Sequence, residues 1–276
     1  IQPTLSSLGY DSLGTVEMLL APDGEFRFLE MNTRLQVEHG VTEQVFGVDL
    51  VEWMVTLASG DWSAPTEKLE PTGHSIQVRL YAEDPIKQFQ PSAGLLTHVK
   101  FDPQARVETW VETGSTVSSF YDPMIAKLIV WGKNREAALI QMQNALSQFH
   151  VDGLGNNIAF LEKIVRSESF KQAKLDTNLI QREQNFLFSP EEIKPELIVA
   201  AAFIEFLSKL NNNSSSQKQL WQAQPLWRLN IAYQHSIKLN YLNQSIQIKF
   251  ASNEDGFTAE YNGQSYPISG QLIDAH

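Results

Sequence analysis

Apolar and polar residues alternate on both sides of Ala21-Pro22-Asp23-Gly24, and a period of two around a Pro/Gly turn predicts a β-hairpin with strands over 15–20 and 26–37. The period then lengthens. Val45, Val48, Val51, Val55 and Ala58 recur every three to four residues, which predicts a helical stretch over 41–59. A polar stretch over 60–73 with Pro and Gly reads as a linker. Residues 75–82, 94–101 and 106–111 read as short strands, and 124–131 as a buried one. Asn134 is placed to cap a helix running to Phe149, with Ala138, Met142, Leu146 and Phe149 on one face. A further helix is expected over 157–165.

The composition shifts near residue 186. Ser189-Pro190-Glu191-Glu192 has the form of a helix-capping box, with Pro195 as the alternative start. From 196 to 210 the apolar residues lie nearly all round, which predicts a helix buried on several sides. Residues 211–216 read as a low-complexity loop. Residues 227–274 read as strands with turns at 240–243, 253–256 and Asn262-Gly263. The chain shows neither internal repeats nor coiled-coil heptads. It opens on Ile1 and closes in strand-like sequence, so it is expected to be a piece of a longer protein.

Composition narrows the classes. Asp and Glu outnumber Lys and Arg by 32 to 21, a net charge of −11, which argues against non-specific nucleic-acid binding. There is no cysteine, so thiolate chemistry and disulfides are excluded. No apolar run approaches the ~20 residues of a membrane-spanning helix. The six histidines show no metal-site spacing.

The segment 29–39, LEMNTRLQVEH, carries the candidate chemistry. Read as a strand, it puts Glu30, Asn32, Arg34, Gln36 and Glu38 on one face, and Leu29, Met31, Thr33, Leu35 and Val37 on the other. With the turn centred on Pro22-Asp23, Glu17 faces Phe28 and Glu30 is its diagonal neighbour, about 7–8 Å away at the backbone. A hard divalent cation can join two such carboxylates to phosphate oxygens, with Asn32 adding a neutral oxygen. Arg34 is suited to hold an anion such as bicarbonate or phosphate, and Glu38 to act as a general base. The same row also reads as a solvated sheet face.

The string FLEMNTRLQVEHGVTE (28–43) resembles the active-site signature of the biotin carboxylase family. RLYAEDP (79–85), FQPSAGLLT (89–97), ETGSTVSSFYDPMIAKLIVWG (112–132), NREAAL and LEKI follow in that family's order. The resemblance covers roughly residues 8–186. It implies an α+β fold, the C-terminal half of an ATP-grasp biotin carboxylase unit, followed by a helix and part of an antiparallel β-barrel. The implied domains are the end of the ATP-grasp domain (1–60), the carboxylase C-terminal domain (61–186) and a truncated linking domain (187–276). That last region is expected to be poorly ordered or paired with another chain.

The resemblance implies a ligase that uses Mg-ATP (or Mn²⁺) and bicarbonate to make carboxyphosphate and then carboxylates biotin carried on a separate domain. By motif, Glu17, Glu30 and Asn32 resemble the metal ligands. Arg34, Glu38 and Arg106 resemble catalytic residues. Gln36 and Val37 resemble bicarbonate contacts. Leu19 and Leu29 resemble adenine-pocket residues, with core packing as the other account. Arg106 without the resemblance reads as a surface salt bridge, and Arg135 resembles a residue near the family's dimer interface.

WRLNIAY (227–233) resembles the α subunits of 3-methylcrotonyl-CoA carboxylases, implying a carboxyltransferase β subunit, a biotin carboxyl carrier domain and a homo-oligomer as partners. Gly40 departs from acyl-CoA carboxylases, which usually have Pro there. With VDLVEWM (48–54) it resembles urea carboxylases, and acetyl-, propionyl- or geranyl-CoA carboxylases and a non-catalytic docking module are further alternatives. The family's glycine-rich lid and ATP-holding lysines are not in these residues, so the chain alone is expected to be inactive. A bacterial cytoplasm is the expected compartment, with the mitochondrial matrix as alternative.

Overall fold

The computed structural model describes residues 2–63, 65–189, 193–212, 234–241, 244–253 and 256–271. Two compact units divide at 189/190.

The first unit opens with a short helix, Gln2–Ser7, and the hairpin of β1 (Thr15–Leu20) and β2 (Phe26–Asn32). Pro22-Asp23-Gly24 forms a three-residue loop, closed by hydrogen bonds from Ala21 N–H to the Glu25 carbonyl and from Gly24 N–H to the Ala21 carbonyl. β2 stops at Asn32, five residues before the alternating pattern does. The register also differs from the expected one. Glu17 pairs with Glu30 but Met18 with Phe28, so Leu29 is bulged out and Glu17 faces Glu30 directly.

The single helical stretch expected over 41–59 is two helices, α1 (His39–Phe46) and α2 (Leu50–Ser59). Gly47 ends α1 in the left-handed region with φ 66°. The Asp49 side chain accepts from Glu52 N–H and starts α2.

The core of this unit lies between a three-stranded antiparallel sheet and two helices. The sheet is ordered β3 (His74–Tyr81), β5 (Met124–Gly132), β4 (Arg106–Thr109), numbered along the chain. The strand expected over 94–101 is two pieces, Gly94–Leu95 and His98–Lys100. α3 (Arg135–Ser147) is capped by Asn134, which accepts from Ala137 N–H, and buries Ala138, Leu139, Met142, Ala145 and Leu146. α4 (Ile158–Arg166) packs beside it, and Val165 joins the same core. Gly132 lets β5 meet α3, because a Cβ there would sit 2.4 Å from the Ala138 amide nitrogen.

In the second unit, α5 (Pro195–Asn212) packs on an open antiparallel sheet ordered β6 (Gln234–Tyr241), β7 (Gln244–Asn253), β8 (Gly256–Tyr261), β9 (Gln264–Ile268). α5 thus begins at Pro195 and runs to Asn212, into the segment expected as a loop. It is not buried all round. Val199, Ala202, Phe203 and Phe206 are buried, whereas Leu197 is 61% and Ile204 58% exposed. Val199, Ala202, Phe203 and Phe206 form a core with Ile237, Ile248, Phe250 and Ala259. Asn262-Gly263 closes β8 to β9 as expected. The WRLNIAY stretch, most of the capping box and residues 242–243 and 254–255 lie outside the described residues.

Candidate active site

The site is built on the face of the three-stranded sheet that turns toward residues 37–43. Two cross-strand rows define that face. One runs Arg79, Lys127, Glu108 and the other Gln77, Ile129, Arg106 across β3, β5 and β4. The opposite face of β3 carries the buried Ile76, Val78 and Leu80, so strand alternation alone sends these polar groups to one side.

Residues 37–43 lie across the rows. The Val37 carbonyl accepts from Gln77 Nε2 and from Lys127 Nζ, each at 3.2 Å. Arg79 Nη2 meets Glu38 Oε2 at 2.8 Å. Gly40 presses on Ile129, where a Cβ would stand 2.4 Å from the Ile129 Cδ1. Glu43, only 4% exposed, takes the Arg106 guanidinium on Oε2 at 2.5 Å and the Leu50 N–H on Oε1 at 2.8 Å. Arg106 also pairs with Glu108, which pairs in turn with the buried Lys127.

Charge follows from these contacts. Burial opposes the Arg106 charge, but hydrogen bonds to Glu43 and Glu108 outweigh it and hold its pKa above the ordinary value. Burial disfavours the Glu108 carboxylate, but Lys127 and Arg106 overcome it and lower the pKa. Arg79 is raised in the same manner: burial opposes its charge, and Tyr81 and Glu38 more than compensate.

The hairpin supplies the second cluster. Asn32 Nδ2 donates to Glu17 Oε1 at 2.8 Å and to Glu30 Oε1 at 3.3 Å, and Gln36 Nε2 donates to Glu17 Oε1 at 3.0 Å. Two opposed carboxylates repel, and among the described residues amide donors, not cations, hold them. A hard divalent ion fits this donor set. It would take both carboxylates, and a half-turn of the Asn32 amide would offer it Oδ1 in place of Nδ2.

The two clusters join through residues 36–39: Gln36 reaches Glu17, His39 Nδ1 lies 2.8 Å from the Gln36 carbonyl, and Val37 binds Lys127. Glu17, Glu30, Asn32, Gln36, Val37, Glu38 and Arg106 therefore belong to one contiguous chain of contacts. Arg34 stands apart: it is exposed and donates to the Leu35 carbonyl at 3.3 Å. The strand row expected to carry Arg34, Gln36 and Glu38 is a loop and a turn, so their convergence comes from the sheet beneath them and not from β2.

Leu19 and Leu29 are more than half exposed, which removes core packing as their account among the described residues. Arg135 is tied within its own chain, donating to the Phe170 carbonyl at 2.6 Å with its guanidinium over the Phe170 ring.

Sequence reasoning missed Glu43, Lys127 and Arg79. It also found no metal spacing among the histidines, yet His39, Glu43 and Glu108 bring donor atoms within 4.8 Å of one another. Arg106 and Lys127 already neutralise those carboxylates, so this trio is an ion-pair network and not a metal centre.

Known proteins resemble the chain at both levels. A profile for the biotin carboxylase C-terminal domain matches residues 77–182, and one for the ATP-binding domain of the carbamoyl-phosphate synthase L chain matches residues 3–63. The mitochondrial methylcrotonoyl-CoA carboxylase subunit alpha of Oryza sativa subsp. japonica is 41% identical over 81% of this chain and 33% of its own length. The urea amidolyase of Saccharomyces cerevisiae is 48% identical over 65% of this chain and 10% of its own. The biotin carboxylase domain of Hydrogenobacter thermophilus 2-oxoglutarate carboxylase, solved with MgADP and bicarbonate, superposes with a TM-score of 0.65 at 35% identity, covering 68% of this chain and 42% of that one. The chain thus spans about a third of the length of the methylcrotonoyl-CoA carboxylase relative.

Proposed function

The chain belongs to the biotin carboxylase family of biotin-dependent carboxylases, and on that premise we propose that the full-length protein carboxylates biotin with ATP and bicarbonate. The observation that carries the reading is the contiguous set of contacts from Glu30 through Gln36 and Val37 to Arg106. Those contacts link the paired Glu17 and Glu30 carboxylates, through the loop that precedes Glu38, to the Arg106 guanidinium, which supports the reading.

In this reading Glu17, Glu30 and Asn32 hold a divalent ion, which neutralises and bridges phosphate oxygens. Arg34 is exposed, and among the described residues its guanidinium donates to the Leu35 carbonyl alone, which leaves its other donors for an anion. Gln36 and Val37 line the bicarbonate position. Glu38, steadied by Arg79, takes the bicarbonate proton. Arg106 presents a fixed cation to the negative charge that develops on the ureido group of biotin as the carboxyl group is transferred. Leu19 and Leu29 offer exposed apolar surface for the adenine.

For the final acceptor, we favour an acyl-CoA, 3-methylcrotonyl-CoA first. The support is coverage: a match over 81% of the chain reaches beyond the 189 residues of the first unit into the second. Carboxyltransferase β subunit, carrier domain and self-association are the partners this reading implies. Urea is the second reading, favoured by the 48% identity to urea amidolyase and by Gly40. Labelled bicarbonate offered to the full-length protein and its partner subunit with 3-methylcrotonyl-, geranyl-, acetyl- and propionyl-CoA and urea separates the two. Fixation onto 3-methylcrotonyl-CoA supports the first, and fixation onto urea alone supports the second.

A further inference from the structure

We propose that Glu43 is a positioning residue for Arg106: its buried carboxylate fixes the direction in which the guanidinium meets biotin. The inference rests on the reading of Arg106 given above.

A carboxylate as buried as Glu43 persists only if it is paired and hydrogen-bonded. The partners here are specific. Oε1 is occupied by the Leu50 N–H at the start of α2, and Oε2 by Arg106 Nη2. Burial of an ion pair is poor evidence for stability, since desolvation cancels most of the attraction. Geometry gives the pair a different use. Both Glu43 and Glu108 bind the same nitrogen, Nη2, and no described hydrogen bond uses Arg106 Nη1 or Nε. The guanidinium is therefore gripped on one side only, and its side chain is 34% exposed. Its remaining donors keep a fixed orientation toward whatever occupies the site.

The two acids are not equivalent. Glu108 is shared with Lys127, which also binds the Val37 carbonyl. Glu43 has Arg106 as its one close cation among the described residues, with His39 Nε2 farther off at 4.0 Å. Glu43 also lies within α1, whose N-cap is Glu38, so the segment that carries the candidate base sets the guanidinium as well. The direction of Arg106 and the position of residues 36–38 are thereby coupled through α1.

The test uses the full-length protein and the variant Glu43→Gln, which keeps the shape and the acceptor for Leu50 but removes the charge. The expected result is a kcat for carboxylation of free biotin lowered about tenfold or more, the scale of a misplaced catalytic group. The rate of bicarbonate-dependent ATP cleavage without biotin and the KM values for ATP and bicarbonate should move less than about twofold. An unchanged kcat for biotin carboxylation, or an equal loss of biotin carboxylation and of biotin-independent ATP cleavage, would overturn the proposal. If Glu43→Gln does not fold, Glu43→Asp keeps the charge while withdrawing it by one methylene, and the same split is expected.

A wild-type protein that neither binds nor carboxylates biotin would sink the reading of Arg106. Positioning itself would still be judged by arginine ¹⁵N NMR. The slow guanidinium rotation expected of a held Arg106 should be lost in the variant, and its persistence would refute the role of Glu43.

Discussion

Glu17 stands directly opposite Glu30 across the hairpin, because the bulge at Leu29 shifts the register by one residue between them. Cross-strand neighbours in this position are about 4.5–5.5 Å apart at Cβ, and like charges there are destabilising. Glu30→Gln should therefore stabilise the metal-free protein by about 0.2–1 kcal/mol while weakening Mn²⁺ binding. Urea denaturation in chelator and Mn²⁺ titration followed by electron paramagnetic resonance check the two halves. A variant less stable without metal contradicts the account of the pair.

The Glu108 network sets a pH dependence. Its folded pKa lies below the unfolded value of about 4.3, so its contribution is fully present above that value and is lost as pH falls through the folded pKa. Glu108→Gln should lower stability at neutral pH, and the deficit should shrink below about pH 4. Glu83 has the opposite sign. Burial, aided by Asp122, raises its pKa, so it costs stability at neutral pH and Glu83→Gln should relieve that cost. Denaturant titrations between pH 3 and 7 (about the range of carboxylate titration) read both.

Gly40 and Gly132 both admit no Cβ without movement, yet they should differ in rescue. The obstacle at Gly40 is the end of the Ile129 side chain, and at Gly132 it is the backbone of Ala137 and Ala138. Gly40→Ala should cost about 1–3 kcal/mol, as overpacking does, and much of this should return when Ile129→Val removes Cδ1. No side-chain trimming should rescue Gly132→Ala. A double-mutant cycle measures the coupling.

In the second unit, Phe206 stacks on Phe250 at 5.1 Å and meets Phe257 edge-on. Phe206→Ala should cost about 3–5 kcal/mol, and Leu197→Ser, at an exposed position, within about 0.5 kcal/mol. Hydrogen exchange over residues 195–212 and 234–268 reports both.

What the sequence revealed divides along physical lines. β5 and α3 were legible because a near-continuous apolar run, a helical period and the Asn134 cap agree with the packing that results. The break at Gly47 was hidden because Val45, Val48 and Val51 keep a helical period across it, and only the left-handed geometry at Gly47 interrupts the chain. The end of β2 was hidden for a similar reason: alternation continued through residues 33–37, where loop contacts with Gln77 and Lys127 replace strand pairing. The bulge at Leu29 leaves no mark in a strictly alternating sequence. Glu43 had a faint signature. It lies three residues after Gly40 on the same buried face of α1, where an acid calls for a partner from elsewhere.

The most direct test of the central claim is ATP-dependent transfer of labelled bicarbonate to biotin by the full-length protein, comparing wild type with Arg106→Ala. The account predicts label on biotin for the wild type, and loss of most of that transfer in the variant while bicarbonate-dependent ATP cleavage persists. No ATP-dependent labelling of biotin by the intact wild type, or equal labelling by the variant, would contradict it.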